Sequence, residues 1–169
     1  MDAIDLLRDL APRPRDAARA LAADLTPEIL AAHPGGHPNS VAWLLWHTAR
    51  EMDAQLAALR GVEQVWTAQG FDARFGLGEV GDQVGYGHTA DQARSITVDD
   101  PELLIEHLEA VTDALTAYLE TLTDDDLDDV IDEQWDPPVT RGVRLISLID
   151  DAAQHVGQAA YVVGMSRRD

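Results

Sequence analysis

The chain has 169 residues, 12 basic against 31 acidic, a formal net charge of -19 and no cysteine. Its length suits one domain that buries roughly two thirds of its unfolded surface without disulfides. The missing cysteine excludes thiolate chemistry by the protein itself, and the negative charge opposes nucleic-acid and anionic-membrane partners. All basic residues are arginine, which also removes lysine Schiff-base chemistry. The N-terminus lacks a basic leader, and no stretch approaches the roughly 20 apolar residues of a membrane span. The expectation is a cytoplasmic single domain, 1–169.

In chain order, residues 2–24 have helical spacing interrupted by Pro12 and Pro14, which predicts a short helix, a kink and a longer helix. Thr26-Pro27-Glu28 starts one or two turns, and HPGGHP then forms a loop. Asn39 or Ser40 caps a helix through VAWLLWHTAREMDAQLAALR that stops before Gly61. From Gly61 to Asp99 glycines are frequent and periodicity is weak, apart from a capping box at Thr89 and Gln92. A link of this length can cross a whole bundle, leaving the second and third main helices parallel, and can cover a pocket.

Asp100-Pro101-Glu102 opens the third main helix, with Leu104, Leu108, Val111, Leu115, Tyr118 and Leu122 as its apolar stripe. Thr123 is expected to cap a short acidic helix, TDDDLDDVI. WDPPV must be extended or turned, because each proline moves the preceding residue away from helix. Thr140 caps the last helix, which runs to Met165. The fold class is all-α, a four-helix bundle with a long crossover between the second and third main helices.

Asp151 and His155, four residues apart on the last helix, project from one face and can offer two ligands to one metal. Leu148, Ala152, Ala159 and Val162 share that face, so the carboxylate points inward and needs neutralising. A cation shared with His155 does this; so would protonation, or Arg144 or Arg50 with His155 an ordinary core histidine, and spacing alone favours the arginine. His47 is the third candidate ligand, although the strongest apolar stripe of its helix, through Val41, Leu44, Thr48 and Met52, is displaced from it. Glu51, one turn on, is ranked below His47 as a ligand or as a partner to one.

The run PNSVAWLLWHTAREMD, the G-x4-W at Gly61 and Trp66, the PPV segment and the terminal D-x-x-x-H-x-G-Q, taken together, resemble the DinB-like superfamily of bacterial four-helix-bundle metalloproteins. The resemblance runs from about Asp16 to Met165. It implies that His47, Asp151 and His155 surround one divalent metal: zinc first, with nickel or iron(II) as alternatives. The commonest ligand set in that family is three histidines, so Asp151 is a departure. A carboxylate there is similar to the mycothiol-dependent maleylpyruvate isomerases, which use two histidines and a glutamate, and aspartate is one methylene shorter.

The resemblance therefore implies an S-transferase or isomerase dependent on a small thiol such as mycothiol, acting on a small-molecule substrate as a homodimer. A bound metal would favour the thiolate that a cysteine-free protein cannot provide. Two other readings stay open: a hydrolase using metal-activated water, and a non-catalytic dimeric bundle that binds a small ligand. Arg50, Arg141 and Arg144 are candidates to hold a substrate carboxylate or the thiol's polar body, and Gln158 to orient a ligand. Trp43, Trp46 and Trp135 read as core or dimer packing.

Other signals carry less. Gly76 to Gly81 matches G-x-G-x-x-G without the strand and helix that dinucleotide binding needs. His33 and His37 are separated by PGG, His88 falls in a glycine-rich loop that borders the site, and His107 reads as a partly buried structural histidine. The acidic run from Asp124 to Asp129 lacks the pattern of a calcium loop.

Overall fold

A computed structural model describes residues 1–166. Helices α1 (Ala3–Leu10) and α2 (Arg13–Leu21) form one interrupted helix, broken at the Ala11-Pro12 junction as the prolines require. Thr26 caps the single turn α3 (Pro27–Leu30), its hydroxyl accepting from the Ile29 amide at 3.4 Å. Helix α4 (Val41–Arg60) opens at Ser40, whose Oγ accepts from the Trp43 amide at 3.1 Å. It closes at Gly61, which takes the left-handed φ of +64° that only glycine adopts freely.

The crossover carries α5 (Val65–Ala68), α6 (Phe71–Phe75) and α7 (Ala90–Ser95), the last opened by the expected Thr89–Gln92 capping box. Helix α8 (Pro101–Leu119) starts at Asp100, whose carboxylate accepts from the amides of Glu102 and Leu103.

Beyond α8 the structure departs from expectation. The acidic stretch makes only a 3-10 turn at Asp125–Asp128, and Val130–Asp132 (β1) pairs antiparallel with Val139–Thr140 (β2). The Asp126 carboxylate accepts from both the amide and the hydroxyl of Thr123, at 2.7 Å each. That bond is the reach-back of a helix start, but Asp124, Asp125, Asp126, Asp128 and Asp129 repel one another at helical spacing, and the β-branched Val130-Ile131 pair then favours a strand. The fold is mostly helical with this small ribbon attached. Helix α9 (Arg141–Ser166) completes it.

Contacts at the helix ends set the directions. Arg94 donates to the Gly36 carbonyl at 2.6 Å, bringing the lead into α8 beside the start of α4. Leu59 and Arg60, at the far end of α4, share a groove with Ala117, Tyr118 and Thr121 at the end of α8. Thus α4 and α8 run parallel, as the long crossover permits. Arg15 reaches Asp113 and Arg19 reaches Glu109 and Glu102, so α2 is antiparallel to α8. Arg141 and Arg144 lie beside Gln55 and Leu59, while His155 and Tyr161 lie beside Leu44 and Asn39, so α9 is antiparallel to α4.

Every residue from Val41 to Arg50 is buried. Over this stretch α4 is enclosed by its neighbours, chiefly α8, α9 and the crossover, so its first half lacks the solvent face that produces a clean amphipathic period, while Ala58 and Arg60 near its end are exposed. Trp43 and Trp46 join this core, whereas Trp135 in the β1–β2 connection is 64% exposed and packs in no core. Among the described residues no helix is long and apolar enough to cross a membrane.

Candidate metal centre

His47 from α4 and Asp151 and His155 from α9 come together between the two helices. One donor atom from each lies within 4.8 Å of the others. The imidazoles of His47 and His155 meet edge to face with centroids 4.7 Å apart, and His155 Nε2 is 3.5 Å from Asp151 Oδ1.

The outer nitrogen of each ring is already engaged. His47 Nδ1 lies 2.5 Å from the Val84 carbonyl oxygen, and since a carbonyl only accepts, Nδ1 carries the proton. His155 Nδ1 lies 3.1 Å from Gln158 Oε1 in the same sense. Each Nε2 is thereby turned toward the space between the helices, His155 Nε2 toward Asp151, which is how ligating histidines are usually held. Asp151 Oδ2 is a buried oxygen with no hydrogen-bond partner among the described residues, a costly condition unless a cation satisfies it. Two imidazoles and a carboxylate of this kind fit a divalent metal and leave coordination positions open.

The electrostatics follow from the same contacts. The adjoining His155 imidazole holds the Asp151 carboxyl below its usual range, and Asp151 in turn raises His155. Burial lowers His47, opposed by the Val84 carbonyl. Burial, reinforced by Asp151, raises Glu51, which sits one turn beyond His47 and accepts from Gln55 at 2.6 Å. Gln158 thus stands against His155, and Glu51 borders the group.

The arginines are placed elsewhere. No arginine lies within ion-pairing distance of Asp151 among the described residues: Arg144 faces Asp132 at 3.7 Å and Arg141 faces Asp129 at 2.8 Å. Arg50, expected as a substrate contact or as the partner of Asp151, is 1% exposed. Its guanidinium donates to Gln64 Oε1 (2.8 Å) and to the carbonyls of Asp82 (3.0 Å) and Gln83 (3.2 Å), and it stacks over Trp66 at 4.5 Å. It is an anchor for the crossover.

Asp53 is a polar residue that periodicity missed. Its carboxylate accepts from the amides of Val65 (2.8 Å) and Trp66 (2.7 Å), capping α5 from inside the bundle. A usable signal exists: His47, Arg50 and Asp53 recur every three residues, placing three ionisable groups along one side of a helix rich in apolar residues. His88 borders the site as expected, accepting from Trp43 Nε1 at 3.4 Å and stacking on Trp46.

Beside His155 an open cleft of about 770 Å³ runs between α9 and the segment leading into α4. Leu44, Val162 and Tyr161 supply apolar surface, Asn39, Gln154 and Gln158 supply amides, and His37 and His155 supply imidazoles; among the described residues no aspartate, glutamate or arginine lines it.

The model of the DinB superfamily matches residues 13–159, a span that includes His47, Asp151 and His155. The chain belongs to this superfamily. A crystal structure of a conserved protein from Enterococcus faecalis superposes with a TM-score of 0.88 at 36% sequence identity, covering 96% of each chain. No curated protein matches the chain.

Proposed function

We propose that this DinB-superfamily chain is a divalent-metal-dependent enzyme, an S-transferase or isomerase that uses a small thiol of the mycothiol type as its nucleophile. The observation that carries the metal reading is the donor set: two imidazoles with Nδ1 committed to protein oxygens, and a buried carboxylate oxygen without a partner. Zinc suits two nitrogens and a carboxylate, with nickel or iron(II) next.

A divalent cation supplies Lewis acidity, which lowers the pKa of a thiol presented to it. The chain's own residues provide position and environment. His47 and His155 direct Nε2 inward, Asp151 supplies the compensating charge, and Gln158 holds the His155 ring. The cleft next to His155 offers amide, imidazole and apolar surface, suited to a hydroxyl- or amide-bearing thiol body. With no cysteine in the protein, the sulfur must arrive with that ligand.

Protein purified without a histidine tag should carry one equivalent of metal by elemental analysis, and His155→Ala none. Transfer to an electrophile, or isomerisation of a cis-enone, should require mycothiol or bacillithiol. Turnover indifferent to thiol removes this reading, and ester or amide hydrolysis without thiol would assign the centre to activated water. A homodimer belongs to the same proposal, with exposed Val143, Ile146 and Tyr161 on α9 as available apolar surface; sedimentation velocity reads it.

A further inference from the structure

We infer that the crossover segment 82–85 is a strut that holds His47 as its Nδ1–H tautomer with Nε2 toward Asp151 and His155, and that Arg50 and Gly85 are the positioning residues that keep the strut in place. The consequence for metal affinity rests on the metal reading above. The state of the ring does not, because it is measurable in metal-free protein.

The argument begins on α4. His47, Arg50 and Asp53 follow one another at three-residue intervals, and each is buried and binds a different part of the crossover. Asp53 fixes the amides that open α5. Arg50 holds two successive carbonyls, Asp82 and Gln83, through two different nitrogens, a fork geometry that a lysine ammonium does not reproduce. The Asp82 side chain is secured separately, accepting from Trp66 Nε1 at 3.1 Å. The next carbonyl along the chain, Val84, is the one that meets His47 Nδ1. A buried arginine with three acceptors is a rigid tether, since releasing any one leaves a desolvated charge short of a partner.

Gly85 closes the strut against the ring. Its φ of +95° disfavours any side chain, and a Cβ there would stand 2.7 Å from His47 Nδ1, 3.0 Å from Trp43 and 3.1 Å from Trp46. Trp43 lies nearly parallel to the imidazole on its face, at 4.5 Å and 18°, so ring and loop pack as one layer. A carbonyl delivered to Nδ1 leaves Nε2 unprotonated and available as a donor.

The test is long-range proton–nitrogen correlation on 15N-labelled, metal-free protein at pH 8, with Arg50→Met and Gly85→Ala beside the wild type. The expected wild-type result is His47 protonated at Nδ1 and bare at Nε2, with both variants showing mixed or reversed tautomers. Zinc affinity by chelator competition should fall about 10- to 100-fold in each, with helical circular dichroism retained. Arg50→Lys should recover little of the loss. A role in stability alone would lower Tm and leave tautomer and zinc affinity unchanged in the folded protein. Nε2–H in the wild type, or Nδ1–H with undiminished zinc affinity in both variants, overturns the inference. Should Arg50→Met not fold, Gly85→Ala and the wild-type tautomer decide it. If the tautomers behave as expected but the wild type binds no zinc, the metal reading falls and the strut stands.

Discussion

Asp53 Oδ2 and His107 Nε2 lie 3.9 Å apart in the core where α4, α8 and the crossover meet, both side chains buried. His107 is surrounded by Trp66, Phe71 and Phe75, and neither ring nitrogen has a hydrogen-bond partner among the described residues. Burial lowers its pKa from the ordinary 6.5, opposed by Asp53.

A depressed histidine pKa makes the unfolded chain the better proton acceptor. The stability owed to neutral His107 is therefore full above about pH 6.5 and is lost as pH falls below it, with a slope of at most about 1.4 kcal/mol per pH unit. His107→Phe, which suits the aromatic surroundings, should reduce the slope between pH 6.5 and 5 by up to one proton's worth in urea titrations. His47 and His88 are lowered in the same direction, so a residual slope is expected. An unchanged slope would contradict a neutral His107.

Asp53→Ala removes the acceptor of two buried amides and the nearest counter-charge of Arg50, 3.7 Å away. Breaking a buried pair by removing one partner costs about 3–5 kcal/mol. Chemical denaturation should show a loss of at least about 3 kcal/mol. A loss under about 1 kcal/mol would mean that the crossover is not held from inside.

Metal should stabilise the native state by mass action, about 2.7 kcal/mol at a free concentration 100 times Kd. Thermal melts with added zinc should rise for the wild type and stay flat for Asp151→Ala. Asp151→His, which restores the three-histidine set of the family resemblance, should keep the rise. A zinc shift persisting in Asp151→Ala would place the ion elsewhere.

Gly157 lines the cleft beside His155 and has open space where a Cβ would stand. Gly157→Ala should stabilise α9 by up to about 1 kcal/mol through helix propensity. Gly157→Trp should fill the cleft and raise the KM for thiol while leaving metal content at the wild-type level. Unchanged KM would move the thiol out of this cleft.

Local chemistry made much of the fold legible in advance. The caps at Thr89 and Asp100, the stop at Gly61 and the break near Pro12 each depend on a few neighbouring residues and stand where the sequence placed them, and of the two caps offered for α4, Asn39 and Ser40, it is Ser40 that serves. The shared face of Asp151 and His155 follows from helix geometry alone. The acidic stretch stops after a single 3-10 turn, because the aspartates that follow Thr123 repel one another at helical spacing.

By itself the sequence determined the main helices, most of their ends and the pairing of two candidate ligands on α9. Only the tertiary structure decided which way His47 faces, because the half of α4 that carries it, Val41 to Arg50, is buried throughout and its apolar pattern has no outside to mark. It also decided that Arg50 holds the crossover and that Asp151 meets no arginine among the described residues. Those outcomes depend on which carbonyls and carboxylates a loop dozens of residues away delivers to a buried helix, and no local periodicity encodes that.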